Sequence, residues 1–219
     1  DKALSDISKA IDLARKDDPD IVLELLLERA DQYYGINEYA QSDADYMEVL
    51  AMAETECRAM LGHARNCLAL ERYDEALEQL NRCAKLSPEY THIYRFRYQI
   101  YDKLGETRKA IDDFLAYCAM SHNPQIDDDC MLALFGKNWN YAIAGIKAQI
   151  LQNNNYECFW RWILATVYEK RYDYEQALEQ YDLIEEKLGE DEDLCLYRAD
   201  CYDELGDTRM AVAEMTRCM

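Results

Sequence analysis

Histidine is the residue of this chain best suited to acid–base or metal chemistry, and the 219 residues include three. His63, His92 and His122 stand far apart, and no Asp or Ser is spaced with them as a nucleophilic triad requires. They also lack the short, fixed intervals at which paired metal ligands recur. The sequence therefore predicts no catalytic residue and no metal site.

Nine cysteines raise the possibility of disulfides, a metal or a reactive thiol. There is no Cys-x-x-Cys pair, and the closest two, Cys195 and Cys201, are six residues apart. Dispersed thiols used as small apolar side chains are typical of a reducing compartment. We therefore expect mostly buried, unpaired cysteines and a cytoplasmic location, although a chain that opens with Asp1 leaves room for a removed leader.

Two further motifs would indicate a bound ion or cofactor if they were complete. Asp127, Asp128 and Asp129 are consecutive, but neither the glycine turn nor the distal Glu of a calcium loop accompanies them. The three acids are better interpreted as a helix start, where the helix dipole favours negative charge. The seven glycines are scattered and form no phosphate-binding loop, so no cofactor is predicted.

Charge and composition exclude two classes of partner. With 44 acidic and 24 basic residues the net charge is −20, so nucleic acid is not expected as a ligand. No apolar run approaches the ~18 residues of a membrane span. Gly and Pro number only 7 and 3, which favours helices. The acidic surface serves solubility or, alternatively, attracts a basic partner.

Similar residue types recur every 34 positions, with a single step of 33 between the fourth and fifth positions. One series is Tyr39, Tyr73, Thr107, Tyr141, Tyr174 and Thr208. A second is Tyr46, Leu80, Phe114, Ala148, Tyr181 and Met215. A third, of small side chains, is Ser42, Ala76, Ala110, Ala144, Ala177 and Ala211. A period of this length predicts a helical solenoid whose units bury their apolar faces against their neighbours.

The second helix of each predicted unit carries a recognisable pattern. Ala110-x3-Phe114 fits the Ala-x3-Phe of tetratricopeptide repeats, and Pro88 closes the preceding unit. The chain therefore resembles the tetratricopeptide repeat family over residues 23–219, although the family's early Trp and Leu-Gly pair are missing. The resemblance implies an all-α fold, a right-handed superhelical solenoid of antiparallel helix pairs.

The repeat frame predicts a single array. Its parts are a partial unit 1–22, full units 23–56, 57–90, 91–124, 125–157 and 158–191, and a truncated unit 192–219. Residues 101–110 and 202–211 agree at seven of ten positions, as expected of duplicated units. The 33-residue unit is the least typical, and its deletion is predicted in the turn 152–155.

In the family that this chain resembles, the first helices line a concave groove in which partner peptides lie. The resemblance places these residues on the wall: Arg58, Leu61, Arg65, His92, Arg95, Gln99 and Lys103. They form a basic middle in an acidic chain, which indicates an acidic side chain or a carboxylate terminus as the target. The alternative is that the arginines form intramolecular ion pairs with acids such as Asp102 and Glu106.

The family's clamp for chaperone C-termini requires Lys and Asn at fixed groove positions in two adjacent units. This chain has Leu61 with Arg65, and Arg95 with Gln99, at the positions to compare. Binding of chaperone C-termini is therefore not predicted.

A second candidate surface is aromatic. It comprises Phe159, Trp160 and Trp162, with Ile126 in the preceding unit. The frame directs Phe159 and Trp162 into the groove, where exposed aromatic side chains often dominate binding. The alternative is that they pack against the unit 125–157, in contact with Trp139.

The function that follows is that of a non-catalytic scaffold, which binds a partner protein or peptide in its groove. Two alternatives stay open. The chain could assemble with copies of itself, because uncapped solenoid ends expose apolar surface. It could also be the regulatory region of a larger enzyme.

Overall fold

The computed structural model of the protein describes residues 2–16, 18–121, 128–152 and 154–217. The chain divides into two compact units, residues 1–122 and 123–219. The helices of the first unit are α1 (Lys2–Ala14), α2 (Pro19–Gly35), α3 (Tyr39–Met52), α4 (Cys57–Ala69), α5 (Tyr73–Leu86), α6 (Thr91–Lys103) and α7 (Thr107–Met120). Those of the second are α8 (Asp128–Gly136), α9 (Trp139–Gln152), a 3-10 turn (Asn154–Tyr156), α10 (Glu157–Lys170), α11 (Tyr174–Leu188), α12 (Glu192–Glu204) and α13 (Thr208–Arg217).

The predicted all-α class is confirmed. In the first unit, α2 packs with α3, α4 with α5 and α6 with α7, and in the second α8 packs with α9, α10 with α11 and α12 with α13. No helix in the described ranges is long and apolar enough to cross a bilayer. His122, Ile126 and Asp127, which the sequence singled out, lie outside the described residues.

The turn inside each hairpin has a recurring geometry. One residue takes a left-handed conformation in five of the turns: Asn37, Glu71, Gly105, Tyr172 and Gly206. The next residue donates its N–H to a carbonyl five positions earlier, as Glu106 does to Tyr101 over 2.8 Å. This is the Schellman ending of a helix. For a residue other than glycine, the left-handed conformation costs about 1–2 kcal/mol. Glu71 and Tyr172 adopt it nevertheless, so the packing of the two helices, and not a glycine, determines the shape of these turns.

The small residues of the repeat lie where the helices of a hairpin meet, with one correction. Ala76, Ala110 and Ala177 are fully buried, but Ala144 is exposed and Ala142 is buried instead. The N–H of Ala142 bonds to Asn138, just as that of Ala110 bonds to Glu106.

The location predicted for the deletion in the fourth hairpin is therefore wrong. Helices α8 and α9 are separated by two residues, whereas three separate the helices of the other five hairpins. Ala142 lies 32 residues after Ala110 and 35 residues before Ala177, so the shortening precedes Ala142, and one residue of it lies in the turn between α8 and α9. The sequence period could not locate the shortening, because residues within one helix keep their mutual spacing whichever turn is shortened.

A buried ion pair ties the two helices of three hairpins together. Each pair joins an arginine of the first helix to an acid 16 residues later: Arg29 with Asp45, Arg97 with Asp113, and Arg198 with Glu214. The first two are bidentate, with Arg29 Nε–Asp45 Oδ2 and Arg97 Nε–Asp113 Oδ2 distances of 2.8 Å. The acid side chains are 6–8% exposed.

Units that lack the arginine also lack the acid 16 residues later. His63 and Leu164 occupy the position of these arginines in other units, and the residues 16 further on are Gln79 and Gln180. The buried acid is thus present only in units whose first helix supplies an arginine to pair with it, because an unpaired buried carboxylate lowers the stability of the fold. These pairs belong to the architecture of the hairpins.

Candidate functional site

Four of the predicted wall residues line one cleft in the first unit. Arg58, Leu61, Arg65 and His92 surround a cavity of about 260 Å³. The cleft lies on the side where α4 contacts both α2 and α6. Its remaining lining residues are Asp31, Tyr46, Gly62, Tyr90 and Phe96. The cleft therefore combines two guanidinium groups with an aromatic and aliphatic floor.

Asp31 is the carboxylate that holds both arginines of the cleft. Its Oδ1 accepts hydrogen bonds from Tyr46 Oη over 2.6 Å and from Arg65 Nη2 over 3.0 Å. Its Oδ2 accepts one from Arg58 Nη2 over 2.9 Å. Burial raises the pKa of Asp31, but the bonds from Tyr46, Arg58 and Arg65 outweigh it and leave the pKa below its usual value. The carboxylate stays ionised and fixes both arginines.

The predicted alternative of intramolecular ion pairs is therefore right for these two arginines, but with different acids. Arg58 pairs with Asp31 and, at 3.5 Å, with Glu24, both on the preceding first helix. Glu106, which the sequence analysis suggested, pairs with Lys109 instead.

The two arginines differ in how firmly they are held. The Arg65 guanidinium lies 3.7 Å from the centre of the Tyr34 ring and 3.2 Å from Tyr46 Oη, and its side chain is 28% exposed. The Arg58 side chain is 52% exposed, and its second acid, Glu24, is itself 71% exposed. Arg65 is part of the wall, whereas Arg58 presents its outer edge to solvent.

Gly62 makes this arrangement possible. A Cβ atom at this position would overlap the outer half of the Tyr46 ring. Tyr46 is 1% exposed, and the bonds of its hydroxyl to Asp31 and Arg65 hold the ring in place. Glycine is therefore required in the middle of α4 so that the ring can pass the helix and reach Asp31.

We expect Gly62→Ala to lower the free energy of unfolding by about 1–2 kcal/mol, measured by urea unfolding. Overpacking costs about 1–3 kcal/mol, and the higher helix propensity of Ala returns at most about 1 kcal/mol. Gly35→Ala is the matched control, because a Cβ atom there meets no atom within 4 Å. Equal stability changes in the two variants would contradict this account of Gly62.

The other predicted wall residues lie further along α6, outside the lining of the cleft. Arg95 and Lys103 are exposed, and neither forms an ion pair with any described residue. Gln99 is half-buried. His92, at the cleft itself, is exposed and packs edge-on against Phe96. The structure thus extends the positive charge of the cleft along α6.

Phe159 and Trp162 belong to a separate cavity of about 400 Å³ in the second unit. Leu188 contributes to its floor, and Glu190 and Asp193 contribute acidic groups. Trp162 packs edge-on against two tyrosines of the following helices, with ring centres 5.6 Å from Tyr181 and 4.8 Å from Tyr197. The ring contacts that the structure gives Trp162 are therefore with α11 and α12, and not with Trp139 as the alternative proposed. Trp160 is fully buried.

A cluster that the sequence analysis missed lies between α3 and α4. His63 Nδ1 is 2.6 Å from Asp43 Oδ1, and Cys67 Sγ is 3.6 Å from His63 Nε2. Arg72 Nη2 donates to the other oxygen of Asp43 over 2.7 Å. The sequence analysis found no Asp at a triad spacing from the histidines, and the structure nevertheless brings Asp43 to His63. Twenty residues separate Asp43 from His63, so no short spacing revealed the contact.

The electrostatics of this cluster follow from the contacts. The hydrogen bond to Asp43 raises the pKa of His63 to about 9. Burial raises the pKa of Asp43, but the bonds from His63 and Arg72 hold it below its usual value. Cys67 is fully buried, which removes its thiol from contact with a dissolved substrate.

The cysteines largely follow the expectation of unpaired thiols, with one exception. Cys57, Cys67, Cys83, Cys118, Cys158 and Cys201 are free thiols. Cys195 is disulfide-bonded, so the expectation of an unpaired thiol does not hold for this residue. Burial raises the pKa of Cys118 to about 12, which keeps that thiol protonated and inert.

Comparisons with known proteins identify the fold. No protein-family model matches the chain, and no curated protein does. Among solved structures, a tetratricopeptide repeat protein from Parabacteroides merdae ATCC 43184 aligns with a TM-score of 0.54 at 14% identity, over 99% of this chain and 84% of that one. A chain of the APC/C hetero-tetramer Cut9–Hcn1 aligns with a TM-score of 0.52 at 16% identity, over 99% of this chain and 46% of that one. The protein therefore has the tetratricopeptide repeat fold.

Proposed function

We propose that the protein is a non-catalytic interaction scaffold, which binds an acidic peptide segment or a C-terminal carboxylate along α4 and α6. The observation that carries this proposal is the cleft in which Arg58 is oriented by Asp31 above the apolar side chains of Leu61 and Phe96. The Cut9–Hcn1 structure, a hetero-tetramer with the same fold, supports the general role of binding another protein chain.

Arg58 is suited to a ligand carboxylate because its orientation is already set. The bond from its Nη2 to Asp31 restricts the long side chain, so less conformational entropy is lost when a ligand binds. Its contact with the exposed Glu24 is long, at 3.5 Å, and an exposed pair of this kind contributes about 0–1 kcal/mol. A ligand carboxylate can replace Glu24 at little cost.

Arg95 supplies the second positive charge. It lies one helical turn beyond His92 on α6, is exposed, and has no ion-pair partner in the described part of the chain. Lys103 lies two further turns along the same helix. An extended peptide with two or more acids therefore meets Arg58 first and Arg95 next, while an apolar side chain between them fills the cleft.

We expect a library of random peptides with free C-termini, screened on the full chain, to yield acidic sequences with a neighbouring apolar residue. Arg58→Glu combined with Arg95→Glu is expected to weaken a selected peptide at least about tenfold, since a few charged and aromatic residues carry most binding energy. Binding is measured by fluorescence anisotropy at two salt concentrations, and the wild-type affinity falls as salt screens the charges.

The matched control reverses the charges of one lysine and one arginine that lie away from the cleft. Lys85→Glu combined with Arg209→Glu changes the net charge by the same amount, and both residues are exposed and away from the cleft. This control is expected to bind within about twofold of wild type. Equal losses in both double variants, or selection of basic peptides, would contradict the proposed site.

The aromatic cavity of the second unit favours a different ligand. Glu190, Asp191 and Asp193 border it, so it suits an apolar side chain next to a basic one. We therefore propose Phe159 and Trp162 as a second contact for such a residue. Phe159→Ala tests it: a basic peptide that binds wild type should be weakened, and the acidic peptides above should be unaffected. Unchanged basic-peptide binding would rule this contact out.

A further inference from the structure

We propose that the cavity between α9, α10 and α11 binds a small alkyl carboxylate of the fatty-acid class. The cavity measures about 600 Å³, a size typical of small-molecule sites. Its apolar lining residues are Ile150, Leu151, Leu164 and Leu183. The inference is independent of both peptide contacts proposed above, because the cavity shares no lining residue with the cleft or with the aromatic cavity.

The cavity takes the place that a buried arginine fills in three other hairpins. Arg97, for example, lies between its own second helix and the preceding one, and it binds Asp113 on the first and Asn81 on the other. Arg198 is held in the same way between α11 and α13. In α10 the position belongs to Leu164, which is 1% exposed. Because leucine is shorter than arginine, it leaves this space unfilled.

The partners of that arginine are exchanged together with it. The acid of the pair is replaced by Gln180 in α11. Asn81 and Asp182, which bind the arginine from the preceding second helix, each lie five residues after the buried alanine of that helix. In α9 the buried alanine is Ala142, and the fifth residue after it is Lys147. A cation therefore stands where other hairpins have an acceptor.

Two hydrogen-bond donors on the cavity wall have no acceptor. Lys147 is exposed, its Nζ lies 5.7 Å from the centre of the Tyr168 ring, and it forms no ion pair with any described residue. Gln180 is 6% exposed, and its Oε1 accepts from Arg161 Nη1 over 2.9 Å. Its Nε2 donates to no described residue and stays accessible on the wall. A polar group this deeply buried is normally hydrogen-bonded, so the amide points to a ligand acceptor.

The neighbouring acids do not supply that acceptor. Glu157 binds Arg161 Nε over 2.7 Å and also pairs with Lys187. Glu179 is the one acid among the lining residues, and it is exposed, so solvent screens its charge. A ligand carboxylate thus meets the ammonium of Lys147 and the amide of Gln180. Its alkyl chain lies against the leucines, where burial of apolar surface favours binding.

The test is calorimetric titration of the full chain with octanoate, below the concentration at which octanoate forms micelles. We expect one octanoate to bind per chain. Octanol has the same chain length without the charge and should bind at least about tenfold more weakly, because charged hydrogen bonds are the stronger ones.

Three variants assign the binding to the cavity. Lys147→Glu should weaken octanoate at least about tenfold and leave octanol within about twofold, because only the carboxylate meets Lys147. Arg209→Glu, an equal charge change at an exposed residue outside the lining, should bind octanoate within about twofold of wild type. Leu164→Arg combined with Gln180→Glu installs the ion pair of the other hairpins in the cavity. We expect this double variant to bind neither ligand, with circular dichroism confirming that it is folded.

Four results would overturn the proposal. They are no octanoate binding by wild type, equal affinity for octanol, unchanged octanoate binding in Lys147→Glu, or wild-type binding in a folded double variant. Displacement of octanoate by an acidic peptide selected for the first-unit cleft would also overturn it, since the cavity would then be a peptide contact. Lys147→Glu alters an exposed side chain, so this arm remains decisive if the double variant does not fold.

Discussion

Arg97→Met is expected to lower the free energy of unfolding by about 3–5 kcal/mol. The change leaves Asp113, whose side chain is 8% exposed, without its bidentate partner. It also removes the bond from Arg97 Nη1 to Asn81 over 3.1 Å. A buried carboxylate without a partner must either stay charged in an apolar setting or take up a proton, and both cost free energy. Chemical unfolding followed by circular dichroism measures the loss.

Two controls make this expectation specific. Arg95→Met, two residues away on the same helix, should change stability by less than about 0.5 kcal/mol, because Arg95 is exposed and forms no ion pair with the described residues. Arg97→Met combined with Asp113→Leu should recover most of the loss, since removing both members leaves no buried charge. A double variant as unstable as Arg97→Met would show that the pair is not the source.

Tyr46→Ala is expected to cost about 3–5 kcal/mol and to weaken binding of acidic peptides. Tyr46 is 1% exposed, and its ring fills the space above Gly62. Its hydroxyl donates to Asp31 and accepts from Arg65. Removing the ring opens a cavity beside Asp31 and Arg65, so these two side chains lose the packing that keeps Arg58 oriented. Urea unfolding and peptide titration at a stability-permissive temperature measure the two effects.

Tyr46→Phe separates packing from hydrogen bonding. It keeps the ring and should cost only about 1 kcal/mol, the value of one hydrogen bond. Because Arg58 and Arg65 still hold Asp31, peptide affinity should fall by less than about threefold. A loss of stability in Tyr46→Phe as large as that in Tyr46→Ala would contradict the packing role of the ring.

Much of the fold could be predicted from the sequence, because a 34-residue period depends only on the spacing of buried side chains. The positions of Ala76, Ala110 and Ala177 follow directly from it. Ala144 was misplaced because the shortening of a turn becomes visible only when its helix ends are known. The Arg–acid pairs 16 residues apart recur at the same repeat position in three hairpins, and that spacing could have revealed them.

The site was predicted less completely, for a physical reason. The family resemblance placed Arg58, Leu61, Arg65 and His92 on one wall, and in the structure these four residues line one cleft. The period by itself indicates only which residues share a helix face. It carries no information about which acid a long side chain will reach. The pairing of Asp31 with Arg65 was therefore not predicted, although the two residues lie one period apart.

The Asp43, His63 and Cys67 cluster was missed for the same reason. Its members come from two helices of different predicted units, so no short interval in the sequence marks them. A comparison of each position with its counterparts in the other units would have marked all three as unusual.

The most direct test of the central claim is to map where a selected acidic peptide touches the protein. The Nε–H resonances of the arginine side chains, followed by NMR during a titration, report this contact residue by residue. The account predicts large shifts for Arg58 and Arg95, and none for Arg97, which is occupied by Asp113. Shifts confined to Arg161 or Arg209 in the second unit, with Arg58 and Arg95 unchanged, would contradict it.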